Sequence, residues 1–453
     1  MSAAALHTSA TPQDTGHAHT AAPRLATAPH LAAAMRNAES LCIKCGFCLP
    51  ACPTYRETGI EAASPRGRLD LMYGAAQGRV SLEQIAPQLA LCLGCQACET
   101  ACPSGIQYHD MLEAQRIDLA DQRRARLSHR FGRMLLSGLL PSPTLLRIAV
   151  WKMWAYQRSG LQSLVRATHV LALIPPLNRM ERSMPPVSRP VPWRRALQGP
   201  APVPERKRVA MLTGCVMDAA FGEVHAATVH VLRANGIGIV DVPEQTCCGA
   251  LHLHAGELEG ARELAKRNIA AFESVGDVPI LLNSAGCGAM LKQLGPLFAG
   301  DSGWEARGRR ISARVRDITE YLAAEALNPP TGRVERTVAY DEPCHLAHAQ
   351  KIRDQPRELL AGIPGLKLVP LREADMCCGS AGSYSALQPG MSRRLLQRKM
   401  EHIAASGADI VATGNPGCLL QLRLGAQDHE VSVRVVHPIE LLAEAYGRPM
   451  AQR

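Results

Sequence analysis

Apolar residues follow two different rhythms along this chain, and the change of rhythm divides it. Between residues 65 and 91 they recur at helical spacing, through Leu69, Leu71, Met72 and Ala76 and then Leu82, Ile85, Leu89 and Leu91. This predicts a helical region without strands. From about residue 206 the pattern becomes short apolar runs separated by amphipathic segments. The runs beginning at Val209, Ile280, Val338 and Ile410 read as buried strands, and residues 256–275 and 389–405 read as helices. That alternation predicts α/β architecture with parallel pairing. Residues 1–37, rich in Ala, Thr and His, carry no period and read as a disordered tail. Its histidines, His7, His17, His19 and His30, read as solvated and not as ligands.

The α/β region repeats itself. Its first copy places Cys215 after a strand, Cys247-Cys248-Gly249 in the middle and Cys287 after another strand. The second copy places Cys344, Cys377-Cys378-Gly379 and Cys418 in the same way. From Cys215 to Cys344, Cys247 to Cys377 and Cys287 to Cys418 the offsets are 129, 130 and 131 residues. Such constancy marks a duplicated domain. Each cysteine falls at a strand end, where open α/β sheets place their sites.

The helical region holds the clearest chemistry. Cys42, Cys45, Cys48 and Cys52 precede Pro53, and Cys92, Cys95, Cys98 and Cys102 precede Pro103. Each run is C-x2-C-x2-C-x3-C-P, the spacing by which ferredoxin-type chains hold a 4Fe–4S cube, with the fourth cysteine serving the other cube. The spacing assigns Cys42, Cys45, Cys48 and Cys102 to one cube, and Cys52, Cys92, Cys95 and Cys98 to a second. Structural zinc is the competing reading, but zinc knuckles lack triplets with a trailing Cys-Pro. Arg66 and Arg68, between the runs, are candidates to neutralise cluster charge, a solvated helix start being the alternative.

Of 453 residues 47% are hydrophobic but only 4% aromatic, so the core must be built from Ala, Leu and Val. The net charge of +10 is concentrated. Between Gln122 and Met180 there is no Asp or Glu and there are ten basic residues, Arg123, Arg124 and Arg126 among them. This basic segment, with Trp151 and Trp154 and with Trp193 beyond it, suits a membrane surface or a partner groove; packing against its own domain is the alternative. Nucleic acid is not expected, because no recognition motif accompanies the charge. No apolar stretch is long enough to span a bilayer. No export signal is visible, so reduced thiols and a location in the cytoplasm or on the cytoplasmic face of the inner membrane are expected.

The expected division is a tail at 1–37, a ferredoxin-type domain with two 4Fe–4S clusters at 38–122 and a basic, proline-rich linker at 123–205. Two tandem α/β Cys-Cys-Gly domains follow at 206–330 and 331–447. No G-x-G-x-x-G fingerprint or phosphate loop is present. The chain therefore offers no flavin or nicotinamide site and no catalytic residue for a two-electron substrate, which would need a hydride acceptor elsewhere.

With these features the chain resembles the iron–sulfur subunit of bacterial glycolate oxidase. The resemblance rests on Cys-Ile-Lys-Cys-Gly-Phe-Cys at 42–48, Pro-Arg-Gly-Arg at 65–68, Cys-Pro-Ser-Gly at 102–105, Ser-Ala-Gly-Cys-Gly-Ala at 284–289 and Cys-Cys-Gly-Ser-Ala-Gly at 377–382. It implies a hetero-oligomer in which a flavoprotein subunit, carrying FAD, oxidises glycolate to glyoxylate. This chain would pass the electrons toward a membrane quinone. Lactate-utilisation proteins, anaerobic glycerol-3-phosphate dehydrogenase subunits and heterodisulfide reductase are more distantly similar. In the last of these each repeat ends in C-x-x-C and five thiolates hold a non-cubane cluster. Here Ser284 and Asn415 replace the first cysteine of that pair, which weighs against disulfide-reducing chemistry. Cys215, Cys247, Cys248 and Cys287, with Cys344, Cys377, Cys378 and Cys418, remain candidates for a further iron–sulfur or zinc centre, or for inert structural thiols. His345 and His348, flanking Cys344, are weaker candidates.

Overall fold

A computed structural model describes residues 41–182, 184–198 and 202–450; the expected tail and its histidines lie outside them. The ferredoxin-type domain is helical. Its principal helices are Pro53–Thr58, Pro65–Ala76, Leu82–Ala90 and Tyr108–Arg123. Pro65 opens its helix where no amide bond is lost, and the Ser64 hydroxyl accepts from Gly67 N at 3.0 Å. Ser81 and Gln84 form a capping box on the next helix. Leu69, Met72, Ile85 and Leu89 of the apolar stripe read from the sequence meet Met111 and Leu112 in a small core.

The basic linker folds as helices Leu127–Leu139, Pro143–Arg158 and Leu161–Ala167. Leu146 and Val150 are buried in the core of the repeats, and Arg147 pairs with Asp218 at 2.7 Å. Trp151 is exposed, as a surface role requires. Trp193 is not: it is 3% exposed and its Nε1 donates to Asp218 at 2.8 Å. For Trp193 the alternative reading, packing against its own domain, is the one that holds, because its indole is a core residue with its one donor satisfied. Arg123 and Arg126 both pair with Glu83 of the ferredoxin-type domain at the surface, Arg123 half-buried and Arg126 exposed.

Each repeat is a four-stranded, wholly parallel sheet. In the first, β1 (Lys207–Leu212), β2 (Ile237–Val240), β3 (Ile280–Leu282) and β4 (Val315–Asp317) lie in the order β2-β1-β3-β4. In the second, β5 (Thr337–Tyr340), β6 (Lys367–Val369), β7 (Ile410–Ala412) and β8 (Arg434–Val436) repeat it as β6-β5-β7-β8. Ala210 pairs with Ile280 and Ala339 with Val411, so equivalent strands pair in equivalent register. The central strands are buried on both faces, with Val209, Ala210, Ile280, Val338 and Val411 at 0% exposure, which is why they read as continuous apolar runs.

The chain reverses direction of winding between β1 and β3 and between β5 and β7, and crevices open at such points beyond the carboxyl ends of the strands. Helix Cys215–Ala220 starts there after β1, and helices Ala285–Leu291 and Pro416–Asp428 start after β3 and β7. The Cys-Cys-Gly loops turn through left-handed glycines, Gly249 at φ +87° and Gly379 at φ +86°. Helix Gly222–Ala234 of the first repeat packs on helix Pro438–Ala445 of the second, and His230 Nε2 lies 2.9 Å from Tyr446 O. One apolar core runs through both sheets.

Candidate metal centres

The two ferredoxin-type loops have the same trace. Lys44 and Gly46 in one, and Gly94 and Gln96 in the other, all take positive φ, which curls each triplet of sulfurs inward. Cys42, Cys45, Cys48 and Cys102 line one cavity of about 490 Å³. Cys52, Cys92, Cys95 and Cys98 line another of about 370 Å³. These are the two crossed quartets read from spacing. Cys98 also borders the first cavity, so it stands in the wall between them.

The donor sets fit iron–sulfur clusters chemically. Burial pushes the Cys95 and Cys98 thiols well up, and neighbouring sulfurs push them further. Such a set becomes four thiolates only when a cationic core neutralises it. Two arginines prepare that charge. Arg68 is 1% exposed, and donates to Gln88 O at 2.7 Å and Thr54 Oγ1 at 3.0 Å. Arg116 donates to Cys92 O at 2.8 Å. Burial raises the Cys92 thiol, but Arg68 and Arg116 outweigh it and hold the thiol below its usual value. Arg66 pairs with Glu61 at 2.7 Å and donates to Lys44 O at 3.1 Å, bracing the first loop, and it lines the first cavity, where its charge opposes the burial that raises the Cys48 thiol.

The eight cysteines of the repeats open into one cavity of about 1350 Å³ between the sheets. Within each quartet the sulfurs form a fan. In the second repeat Cys378 Sγ is 3.5 Å from Cys418 Sγ. Hydrogen bonding with Cys377 and Cys418 holds the Cys378 thiol well below its usual value, and hydrogen bonding with Cys215 and Cys248 does the same for Cys247. Among the described residues no three sulfurs of either quartet lie mutually within 4.8 Å. That spread exceeds the grip of a single zinc ion, whose thiolates sit about 2.3 Å from the metal.

Ser284 and Asn415, the positions that depart from C-x-x-C, have work of their own. Asn415 Oδ1 accepts from Gly286 N at 3.1 Å across the repeat boundary, and its Nδ2 donates to Cys418 Sγ at 3.6 Å. Ser284 hydrogen-bonds Cys287 and helps to lower that thiol, second to Cys248 and against burial. His348 is a brace, with Nδ1 3.0 Å from Thr100 Oγ1 and Nε2 3.2 Å from Asp375 O. His345 Nδ1 lies 3.5 Å from Cys344 Sγ, and its Nε2 is buried without a partner.

Sequence reasoning missed how the ferredoxin-type domain docks. Leu93, Cys95 and Ala97 pack directly on Cys377, Tyr384, Met391 and Leu395 of the second repeat, with Cys344 at the edge. Tyr384 donates to Leu91 O at 2.9 Å, and Arg398 bridges to Glu57 at 3.3 Å. After burial, the charge of nearby Cys344 is the largest cause that raises the Cys95 thiol. No sequence signal marks this seam, because its residues come from four separated segments.

These features agree with comparisons to known proteins. The 4Fe-4S dicluster domain family matches residues 39–106, and the cysteine-rich domain family matches 209–292 and again 338–423. The family described as glycolate oxidase iron-sulfur subunit, linker region, matches 128–184. The chain is 40% identical over 415 residues to the probable glycolate oxidase iron-sulfur subunit of Bacillus subtilis, covering 90% of this chain and 94% of that protein. It is 32% identical over 408 residues to the glycolate oxidase iron-sulfur subunit of Escherichia coli, covering 89% of this chain and 93% of that one. Lactate utilization protein A of Geobacillus kaustophilus is 33% identical over 242 residues, 52% of this chain and 98% of that one. With the dicluster domain, the linker and both cysteine-rich domains all in place, the chain belongs to the family of glycolate oxidase iron–sulfur subunits, electron-transfer components of an oxidoreductase.

Proposed function

We propose that this chain carries electrons from a flavoprotein subunit that oxidises glycolate to a membrane quinone, and that it takes no part in the oxidation itself. Cys42, Cys45, Cys48 and Cys102 would hold one 4Fe–4S cube, and Cys52, Cys92, Cys95 and Cys98 a second. Cys344, Cys377, Cys378 and Cys418 would hold a further iron–sulfur centre, for which the spread of their sulfurs is better suited than for zinc. When bound, these centres supply one-electron carriers, matched to a two-electron flavin upstream. The carrying observation is the seam, where Cys95 meets Cys344 and Cys377 and so sets three cysteine sites in a row.

The chain's own residues define the two ends of that row. Cys45 is exposed between Ile43 and Phe47, 70% and 62% exposed, an apolar face suited to docking the flavoprotein that carries FAD. The linker supplies the other end. Leu127, Met134, Trp151, Leu164 and Leu173 are exposed on a segment with no acidic residue before Glu181, and Pro185 lines the shared cavity. Apolar side chains among cationic ones suit the surface of an anionic bilayer. No single helix among the described residues is long and apolar enough to cross one. The same exposed apolar and cationic side chains support our placing the protein at the membrane surface, on the cytoplasmic face of the inner membrane.

The test uses the complex with its flavoprotein, purified without oxygen. It should carry about eight iron and eight sulfide from the two cubes, and more if the second repeat is filled. Cys95→Ser should abolish glycolate-dependent reduction of a quinone analogue while glycolate still reduces an artificial dye. Loss of both activities would place the chemistry in this chain and overturn the division of labour.

A further inference from the structure

A donor set of a different kind lies outside every cysteine motif. Helix Tyr108–Arg123 presents His109 and Glu113 on one face, four residues apart. His254 comes from the first repeat, at the end of helix Ala250–His254. His109 Nε2 and His254 Nδ1 each stand 3.0 Å from the same carboxylate oxygen, Oε1 of Glu113. The three atoms lie within 4.8 Å of one another, and no other trio of His, Cys, Asp and Glu among the described residues converges so closely. His109 and Glu113 are 6% and 5% exposed.

We propose that His109, Glu113 and His254 form a binding site for one divalent transition-metal ion, with zinc the best match, that fastens the ferredoxin-type domain to the first repeat. Two imidazoles and one carboxylate make up the donor set of three-ligand zinc sites. Three features favour an ion over a plain hydrogen-bonded cluster. First, donors from two domains converge on one point, where a hydrogen-bonded chain would be served equally well by both carboxylate oxygens. Second, His109 Nδ1 is buried with no partner. With Nε2 on a metal the hydrogen resides on Nδ1, and the ring lines the cavity of Cys92 and Cys95, whose sulfurs are acceptors. Third, a dication with one carboxylate leaves net positive charge beside two thiolate-rich sites, and favours both.

The fastening follows from connectivity. Two ligands ride on the last helix of the ferredoxin-type domain and the third on the short helix that follows Cys247 and Cys248. The same helix is already seated there, because Ala114 and Ile117 belong to the core of the first repeat and Gly256 lies against Arg116 and Ala120. His254 also lines the shared cavity next to His345, their ring centres 6.0 Å apart. The ion would sit between the second ferredoxin-type cavity and the shared one.

The competing arrangement is a metal-free chain in which a protonated His109 and a neutral His254 both donate to Glu113. Zinc analysis and zinc-edge X-ray absorption of the full chain, purified without oxygen, separate the two. The proposal expects about one zinc per chain in a shell of nitrogen and oxygen at about 2.0–2.1 Å, distinct from thiolate sulfur at about 2.3 Å. Glu113→Gln and His254→Ala should each lose that zinc while keeping the iron and sulfide content, whereas exposed His429→Ala keeps it. After treatment with a zinc chelator, the wild-type chain should take up one equivalent of added zinc and neither site variant should. No zinc, zinc in an all-sulfur shell, or unchanged zinc in both variants would overturn the site. If the variants do not fold, the wild-type shell and the uptake decide the matter alone.

Discussion

The two repeats share a strand order and a cysteine pattern, yet the ground beneath their sulfurs differs. In the second repeat Lys399 is buried, its Nζ 2.9 Å from Asp341 Oδ1 and donating to Glu373 O at 2.8 Å. Burial lowers its pKa, but Asp341 and the thiols Cys378 and Cys418 reverse this and hold the ammonium charged. In the first repeat the matching helix offers Asn268, which accepts from Thr246 N at 2.9 Å and donates to Cys247 O at 3.0 Å. Asp341 has the apolar Leu212 as its counterpart. Both arrangements pin the Cys-Cys-Gly loop. Only one places a fixed cation near the thiols, and it belongs to the repeat whose cysteines touch the ferredoxin-type domain. Duplication supplied the fold twice, and charge then distinguished the copies.

The largest expected effect is on electron delivery. Cys378→Ser should slow quinone-analogue reduction by at least about 100-fold, the upper range for disturbing even the indirect partners of a metal ligand. Cys248→Ser in the first repeat should leave most of it. Equal losses would erase the distinction between the repeats. Stability offers the next comparison. Lys399→Met strands a buried carboxylate and should cost about 3–5 kcal/mol, whereas Asn268→Ala should cost only about 1–3 kcal/mol for the amides it leaves unsatisfied. Chemical denaturation reads both, and a Lys399→Met chain as stable as its parent would show that the pair contributes nothing net.

The smallest difference concerns the loop glycines. Alanine at either left-handed position carries about 1–2 kcal/mol of backbone strain. At Gly379 the new Cβ would also stand 2.7 Å from Ser392 O, against 3.2 Å from Ala261 O at Gly249. Gly379→Ala should therefore lower the melting temperature more than Gly249→Ala. The reverse order would mean that the second loop is the more pliable one.

What could be read from the residues alone follows a simple divide. Cysteine spacing, strand runs and the constant offset between copies are local or periodic, so they survive in one dimension. Helices expected at 256–275 and 389–405 occur as Leu258–Glu273 and Pro389–Ser406. The fusion of two quartets into one cavity, the seam at Cys95 and the meeting of His254 with Glu113 depend on how domains pack, and no period encodes them. His109 and Glu113 show their helical spacing, but the third donor lies 141 residues beyond Glu113. Trp193 is undecided in the sequence for a related reason: composition shows a basic, tryptophan-bearing segment but not which indole faces inward.

The wall of the second ferredoxin-type cavity has one more implication. Leu93 and Cys95, both below 10% exposure, are at once lining of that cavity and part of the joint between two domains. If Cys95 ligates a cluster as proposed, iron and sulfide must reach it before that joint closes, which would couple maturation to closure of the polypeptide.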